Sequence, residues 1–392
     1  MTDTRQIVDS FALSQNFASM GVTTRENSLL PRKYNRVPTP YMKQNRRQPF
    51  SVAYGDEGVS YEFQESLQIV QSAFLKVTLP AHSINYKKVP GLHIIKTVSL
   101  RSTGDLVYQV DYQTLLLEHL QSLSDEDVRE YSAAFLGDVG SPAQGSRDVY
   151  LPLPLPNSPL WYRGGRSNGV MPWQSFKNNT IRMDFDFYAN DRTSTVAAPS
   201  PPLSGGEILI KECIVPLSQI NNYKNARANF STISRRFTEV KDWTTAEADT
   251  QQDITVSNLN GCVTQIIVHA IPFNSQISEA DVRAPVTPSK VQLIADSIKI
   301  IDQPNKSEAR LIEYSHGFKR NELFSGQTYR LCFSSHGSED DDTFVGAMNF
   351  SYLSECQLRI EFDEKVHYKI VAVQLVRTDI LPSGRLKQTL NP

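Results

Sequence analysis

The stretch that decides the fold runs from Phe344 to Arg385, FVGAMNFSYLSECQLRIEFDEKVHYKIVAVQLVRTDILPSGR. Within it, three apolar residues alternate with polar ones, at Leu358, Ile360 and Phe362. Successive side chains of a strand point to opposite faces, so the alternation predicts a half-buried β-strand. The next run, 366–375, is apolar in both parities, which predicts a strand that is buried on both faces or bulged near Ile370. Such a pair is typical of the closing strands of a β-sandwich.

The composition suits a soluble, turn-rich and β-rich protein. The chain has 392 residues, enough for two domains, and is 40% hydrophobic with 22 Pro and 19 Gly. No apolar run approaches the roughly 20 residues that span a bilayer. The first residues, MTDTRQIVDSFALSQ, lack the charged and then apolar layout of a secretory signal, so we expect synthesis in the cytosol. A net charge of −2 excludes a strongly basic nucleic-acid binder.

The first half of the chain alternates strand patterns with turns. Residues 66–79, 91–102 and 105–112 predict three strands, the last two joined as antiparallel neighbours by a tight turn at Gly104–Asp105. The third strand is predicted to place four apolar residues on one face, Leu106, Tyr108, Val110 and Tyr112. Further strands are predicted at 181–187 and 207–217, on either side of the disordered-looking segment 193–206.

A helical insertion interrupts these strands. Residues 114–120 are helix-like, and Ser124-Asp-Glu-Asp127 can cap a second helix. That helix would bury Val128, Tyr131 and Phe135 and end at Gly137. The following strand, RDVYLPLPLP, carries Pro152, Pro154 and Pro156. Because proline lacks a ladder donor, this strand must lie at a sheet edge or pair along its other side only.

The second half repeats the plan of strands, a helix-bearing insertion and more strands. Strands are predicted at 261–273, 291–301 and 328–335, with a modest helix at 307–314 and an acidic surface loop at 339–342. We therefore divide the chain into an N-terminal arm (1–50), a first sandwich (51–217), a connector (218–241) and a second sandwich (242–392). Each sandwich would have about eight antiparallel strands.

The arm, residues 1–50, is basic and has little periodicity. Eight Lys and Arg against three acidic residues give it a charge of +5; the basic residues are Arg5, Arg25, Arg32, Lys33, Arg36, Lys43, Arg46 and Arg47. It is either a solvated, partly ordered arm or a segment that docks on a neighbouring subunit, an anionic membrane or nucleic acid.

Residue patterns of known catalytic and metal sites are absent from the sequence. The seven histidines stand singly, which argues against a metal-dependent cupin, and no nucleotide-binding or nucleophile motif occurs. Asp184 and Asp186 alternate along one strand and are more simply explained as a solvated face than as a catalytic pair. The four widely spaced cysteines, Cys213, Cys262, Cys332 and Cys356, are expected to be buried thiols rather than disulfides or metal ligands. We therefore predict no catalytic, cofactor-binding or metal-binding residue and no enzyme.

The order of parts resembles the double jelly-roll major capsid proteins of nucleocytoplasmic large DNA viruses and their smaller relatives. The matching features are the helical insertion before Leu151–Pro156, the connector at Arg235-Arg-Phe237, the turn Gly346-Ala-Met-Asn-Phe-Ser351 and the final Pro382-Ser-Gly384. The chain departs from the family in its shorter length and in Asn157–Trp161, where an aromatic run is usual.

The resemblance implies an all-β fold of two tandem eight-stranded antiparallel jelly rolls with short helical insertions. It further implies a capsid protein of the virion, made in the host cytoplasm, whose pseudo-hexameric homotrimers tile the icosahedral shell of a double-stranded DNA virus. Its partners would be itself, neighbouring capsomers and minor capsid or penton proteins, with the arm 1–50 facing an internal membrane or the genome. A minor or vertex capsid role stays open, as does a carbohydrate-binding tandem jelly roll, whose aromatic cluster would be Trp161, Tyr162 and Trp173.

Overall fold

The computed structural model describes most of the chain from residue 42 onward. The described residues are 42–138, 144–155, 171–176, 179–195, 199–214, 231–256, 259–273, 282, 285–308, 311, 323, 328–333, 347–353, 355–381 and 383–390. Within them, antiparallel strands form four sheets, two in each half of the chain.

The first half forms a sandwich of two antiparallel sheets. Its strands are β1 (Met42–Pro49), β2 (Val59–Glu62), β3 (Ile69–Leu79), β4 (Ile95–Ser102), β5 (Asp105–Asp111), β6 (Arg147–Leu153), β7 (Met171–Pro172), β8 (Ile181–Phe187) and β9 (Ser204–Ile214). One sheet has the order β1-β9-β3-β6, with the short β7 beside β3, and the other has the order β2-β8-β4-β5.

The second half forms another such sandwich. Its strands are β10 (Ser231–Ala246), β11 (Gln252–Thr255), β12 (Cys262–Pro272), β13 (Lys290–Ala295), β14 (Ile298–Gln303), β15 (Tyr329–Cys332), β16 (Met348–Asn349), β17 (Cys356–Glu361), β18 (Val366–Ile380) and β19 (Leu386–Thr389). The sheet orders are β10-β18-β12-β15 and β11-β17-β13-β14, with β16 beside β12 and β19 beside β18. The strand order of the first half thus recurs in the second. Each half is a jelly roll, and the predicted all-β double jelly roll is confirmed.

Two helices follow β5, as predicted. Helix α1 (Tyr112–Ser122) is capped by Asp111, whose side chain accepts a hydrogen bond from the amide of Thr114, and α2 (Asp125–Phe135) is capped by Ser124, which accepts from the amide of Asp127. The φ of +72° at Gly137 lies in the left-handed region that glycine adopts without a Cβ clash, so the chain leaves α2 there. Among the predicted apolar residues, Val128 and Tyr131 are buried and Phe135 is half-buried.

The strands of the deciding stretch form as predicted. In β17, Leu358 and Ile360 are fully buried while the residues between them are half-exposed. Strand β18 is buried on both faces along almost its whole length, and its buried residues include the polar His367, Lys369 and Gln374. The register irregularity lies opposite Ile370 in the neighbouring strand β10, which carries extra residues between Glu239 and Thr244. The proline-rich strand β6 lies at the edge of its sheet, where missing amide donors disrupt no ladder.

The predicted apolar face of β5 is wrong at one residue, Leu106. Leu106 is 46% exposed, whereas Tyr108 and Val110 are buried and Tyr112 is buried at the start of α1. The reason is a β-bulge: Leu100 pairs with Tyr108 and Arg101 pairs with Leu106, so Val107 is an extra residue. One extra residue reverses the parity of everything beyond it, which turns Leu106 outward.

Two boundaries drawn from the sequence shift in the structure. Residues 42–49, placed in the arm, form β1 and pair with β9 in the first sheet. Residues 231–241, placed in the connector, belong to β10 and pair with β18.

The run 291–301, predicted as one strand, forms two strands, because Asp296 and Ser297 both have positive φ and make a two-residue hairpin turn. In the disordered-looking segment 193–206, Thr193, Ser194 and Ser200 are buried.

The strand registers align three strand pairs of the two jelly rolls residue by residue near one end of each pair. Both inner pairs carry one extra residue at the same place, Gln71 between β3 and β9 and Thr264 between β12 and β18. Both β4–β5 and β13–β14 are hairpins with a two-residue turn followed by a bulge, at Val107 and at Ile300. Even the short strands correspond, since Met171 pairs with Val70 as Met348 pairs with Val263. The repeat is therefore present at the level of single residues.

Candidate functional site

The contact between the two jelly rolls is the most distinctive polar site in the described part of the chain. Helix α1 lies in it, and every α1 residue whose exposure is described is buried. Its leucines, Leu115, Leu116, Leu117 and Leu120, belong to the core of the first jelly roll. Its polar residues Glu118 and Gln121 meet the second jelly roll.

Arg330 forms one ion pair across this contact. Its Nη2 and Nε lie 2.7 and 3.0 Å from the two carboxylate oxygens of Glu118, and both side chains are almost fully buried. Nη2 also donates to Oε1 of Gln121 at 2.5 Å, and Nε2 of Gln121 donates to the hydroxyl of Thr328 at 2.9 Å. Two parallel hydrogen bonds fix the relative orientation of the guanidinium and the carboxylate. They therefore fix the position of β15 relative to α1.

Lys369 forms the second ion pair. Its Nζ lies 2.5 Å from Oδ2 of Asp111 and 3.0 Å from Oε2 of Glu239, and the side chains of Lys369 and Asp111 are fully buried. Burial by itself lowers the pKa of the Lys369 ammonium, but the charge of Asp111 and the proximity of Tyr188 and Glu239 outweigh it and leave the pKa raised. Asp111 thus both caps α1 and neutralises a lysine of β18.

His269 lies in the same region. Its Nε2 is 3.1 Å from the carbonyl oxygen of Val282, and its ring centroid is 5.2 Å from that of Trp243. Desolvation by burial is the largest influence and, together with the charges of Lys369 and Arg330, lowers the pKa of His269 to about 4. The imidazole is therefore neutral at pH 7.

Apolar residues and the C-terminal hairpin complete the contact. The core of the first jelly roll continues into the second through several side chains, Phe237, Ile267, Ile271, Val371, Val373, Ile380 and Leu386. The amide of Leu386 in β19 donates to the hydroxyl of Ser102 at 3.1 Å, and Nδ2 of Asn179 donates to the carbonyl of Ser383 at 2.8 Å. Ser383 and Leu386 thus hold the β18–β19 hairpin against the first jelly roll, at Asn179 before β8 and at Ser102 of β4.

The Met-Asn-Phe-Ser turn clamps the start of β12. The side chain of Asn349 accepts from the amide of Ser351 at 3.0 Å, and the hydroxyl of Ser351 accepts from the amide of Gly261 at 2.8 Å. Phe350 is buried in the core of the second jelly roll, while Tyr352, two residues on, is 83% exposed. The motif is therefore a packing device of the second jelly roll.

The acidic pair on β8 makes structural contacts. Asp184 lies between Arg101 and Arg182, with nitrogen–oxygen distances of 2.7 and 2.9 Å, and Ser60 donates to it at 2.7 Å. Desolvation raises the pKa of Asp184, but these donors together lower it below its ordinary value. Asp186 accepts from the amide of Gly58 and from the hydroxyl of Thr97. Both carboxylates thus cross-link strands of one sheet.

Of the aromatic cluster proposed for sugar binding, Trp173 alone lies in the described part of the chain, and it is packed in the core. Trp173 is 3% exposed and packs against the rings of Phe63 and Phe176. Trp161 and Tyr162 lie outside the described residues, as do His316, His336, the acidic loop 339–342 and residues 1–41. A fully packed indole cannot stack on a sugar, so Trp173 drops out of the predicted set.

Other candidate groups are dispersed over the fold. All four cysteines lie in strands; Cys356 is buried and the other three are half-buried, and no disulfide links them. Among the residues that the structure describes, no three His, Cys, Asp or Glu side chains are placed to hold a metal ion. None of the described helices is long and apolar enough to cross a membrane.

The sequence predicted neither ion pair nor His269. A usable signal was present, because Lys369 and Arg330 stand directly beside apolar residues in predicted strands, and Lys and Arg are almost never fully buried unless they are paired. Their partners Asp111 and Glu118 are more than 200 residues away in the chain, so only the tertiary structure brings them together.

The fold is similar to solved structures of viral capsid proteins. VP54 of PBCV-1, fitted into a reconstruction of the virophage Sputnik, superposes with a TM-score of 0.68 at 11% identity, covering 89% of this chain and 97% of that one. The Faustovirus major capsid protein gives 0.66 at 9% identity, covering 95% and 97%. The mavirus major capsid protein gives 0.56 at 11% identity, covering 94% of each. No protein-family model and no curated protein matches the sequence.

Proposed function

We propose that this chain is a structural capsid protein of a double-stranded DNA virus, located in the virion shell and made in the host cytoplasm. The observation that carries the proposal is the pairing of two jelly rolls of the same strand order through buried ion pairs and a shared core. Similarity to viral capsid proteins over almost the whole chain supports it. A mechanical role needs no catalytic residue.

The assembly unit that follows from this architecture is a homotrimer. Each copy supplies two lobes of one topology, so three copies around a threefold axis supply six similar lobes, a pseudo-hexamer that can tile an icosahedral surface. In a closed ring every heterologous interface is paired within the trimer, so the same interfaces cannot extend into filaments. Neighbouring capsomers and minor capsid or penton proteins would be the further partners.

The first test is the particle that the purified protein forms. We expect native mass spectrometry at micromolar concentration to give a trimer and electron microscopy to show hexagonal particles. Monomers alone would contradict the proposal. Particles with fivefold symmetry would instead favour the alternative of a vertex protein.

The basic arm has a smaller charge than the sequence suggested. Three of its eight basic residues, Lys43, Arg46 and Arg47, lie in β1, where Arg46 and Arg47 form ion pairs with Glu212 and Glu207. Residues 1–41 therefore carry five basic and three acidic residues, five minus three or +2. We retain contact with an internal membrane or the genome as a proposal for residues 1–41 only.

The arm proposal predicts separate effects on folding and assembly. Deleting residues 1–41, which leaves β1 intact, should preserve the trimer and impair shell assembly. The measurements are native mass spectrometry and electron microscopy of assembled shells. If the deletion variant fails to fold, the segment belongs to the jelly roll and the proposal of an arm is wrong.

A further inference from the structure

One hydrophobic residue of the second jelly roll, Ile300, is exposed although its counterpart in the first jelly roll is buried. Ile298 and Ile300 of β14 are 69% and 45% exposed. Both lie on the last strand of the sheet β11-β17-β13-β14, next to a hairpin turn. Exposed apolar residues on an unpaired strand edge are costly in a protein that works alone, because such edges recruit other chains.

The registers identify the counterpart. In each hairpin the turn is two residues long and the bulge follows it, so Ile300 corresponds to Val107 and Ile298 to Asp105. Asp105 is itself exposed, so the comparison with a covered counterpart concerns Ile300. Val107 is only 4% exposed and belongs to the core that extends into the second jelly roll. Strands β10 and β19 of the second jelly roll lie against β5, which carries Val107.

The element that would cover Ile300 is found in the same way. In the second jelly roll, Val373 pairs with Gln265 and Phe237, and Phe237 is in the same core cluster as Val107. In the first jelly roll, Lys211 pairs with Ser72 and Asn45. Asn45 on β1 therefore stands where Phe237 stands on β10, and Asn45 is exposed.

Each chain thus carries the two surfaces of a second contact of the same kind, the β13–β14 hairpin and strand β1. Within a chain, the hairpin of the first jelly roll meets β10 of the second. Among the described residues, no strand of the same chain pairs with the outer edge of β14 or of β1, and Ile298, Ile300 and Asn45 are exposed. A second copy can bring the two elements together. We propose that the β13–β14 hairpin docks, through Ile298 and Ile300, on the β1–β9 side of the first jelly roll of a second copy. This inference rests on the proposed capsid function and names the contact that closes the trimer.

Charge and polarity set the strength of this contact. In the second jelly roll, Lys369 of β18 forms an ion pair with Glu239 of β10. The corresponding residues of the first jelly roll are Glu207 of β9 and Arg47 of β1, which form an ion pair at 3.7 Å. The charges are exchanged and the Arg47–Glu207 pair is exposed, so the ion pair with Asp111 has no equivalent between copies. Since a polar asparagine also replaces Phe237, the contact between copies should be weaker than the contact within a chain, as reversible assembly from stable subunits requires.

The test uses a pair of substitutions with a matched control. Ile298→Glu with Ile300→Glu adds two charges to the hairpin. As the control, Tyr352→Glu adds one charge at a more exposed hydrophobic residue of the same jelly roll. We expect the wild type and Tyr352→Glu to remain trimers. The double variant should fold, by circular dichroism, and weaken trimer association by about 100-fold or more.

The outcomes separate this inference from the proposed function. A wild type that is monomeric by native mass spectrometry overturns the trimer itself. A wild type and a folded double variant that are equally trimeric leave the proposed function standing and overturn the role of the hairpin.

Crosslinking identifies the surface that the hairpin meets. A chain with Asn45→Cys is mixed with an isotopically labelled chain with Ile300→Cys and treated with a short bismaleimide. We expect a peptide pair that joins position 45 of one chain to position 300 of the other, above the background of the native thiols in unsubstituted protein. A predominant link from 300 to 300 would mean that second jelly rolls meet each other, and would overturn the proposal.

Discussion

Lys369 shows how one residue ties the two jelly rolls together. Its ammonium is fully buried and lies 2.5 Å from the carboxylate of Asp111. Removing one member of a buried ion pair leaves an uncompensated charge, which costs about 3–5 kcal/mol, whereas an exposed pair contributes about 0–1 kcal/mol. The role of Lys369 is therefore best tested against a solvent-accessible lysine of the same jelly roll.

We predict that Lys369→Met lowers the free energy of unfolding by about 3–5 kcal/mol. Lys306→Ala, which removes a solvent-accessible pair with Asp363, should lower it by no more than about 1 kcal/mol. Urea unfolding followed by circular dichroism measures both values. Equal effects of the two substitutions would show that the Lys369 pair is not desolvated in solution.

His269 predicts a pH dependence of stability. The pKa of this histidine is lowered to about 4 in the folded protein, below the value of about 6.5 in an unfolded chain. The unfolded state therefore takes up the proton first as the pH falls. The contribution of His269 to the free energy of unfolding is therefore fully present above pH 6.5. It falls between pH 6.5 and 4, by up to about 3 kcal/mol.

The comparison variant is His269→Gln, whose amide can still donate to the carbonyl of Val282. Free energies of unfolding at pH 7 and pH 5 should differ less in this variant than in the wild type. The nearby charged groups Lys369, Asp111 and Arg330 are the same in both proteins, so they cancel in the comparison. An identical pH dependence in the two proteins would contradict the assignment.

At the scale of elements, the turn after β16 separates a buried aromatic residue from an exposed one. Phe350 is 2% exposed and Tyr352 is 83% exposed in the same 3-10 turn. We predict that Phe350→Ala costs about 3–5 kcal/mol, because it opens a cavity in the core, and that Tyr352→Ala changes stability by less than about 0.5 kcal/mol. Thermal or chemical unfolding checks this, and similar losses for both would mean that the turn packs differently.

Local patterns predicted most elements, and their failures have a common cause. The alternation in β8 and β17, the cap of α2 and the edge position of the proline strand follow from side-chain chemistry within a few residues. The exposure of Leu106 and the identity of β1 were missed, because a bulge or a strand of polar residues is decided by the partner strand.

For the whole molecule, the shared core predicts coupled unfolding. The core of the first jelly roll includes side chains of β10, β12, β18 and β19, so it cannot be exposed without disturbing the second jelly roll. We predict that amides of β8, in the first core, and of β17, in the second, lose hydrogen-exchange protection at the same denaturant concentration. Loss of protection in β17 well before β8 would show that the two jelly rolls are independent units.

The sequence by itself determined the class and order of parts: strands, a helical insertion, an edge strand with proline, and the same plan again. These depend on short-range periodicity and on residues with restricted backbone angles, which are legible in a single chain. Only the tertiary structure decided that Asp111 meets Lys369, that Glu118 meets Arg330, and that both halves carry a bulge at Gln71 and Thr264 and at Val107 and Ile300. Such pairings join residues more than 200 positions apart, and the energy that selects them comes from desolvation and packing, which no local pattern records.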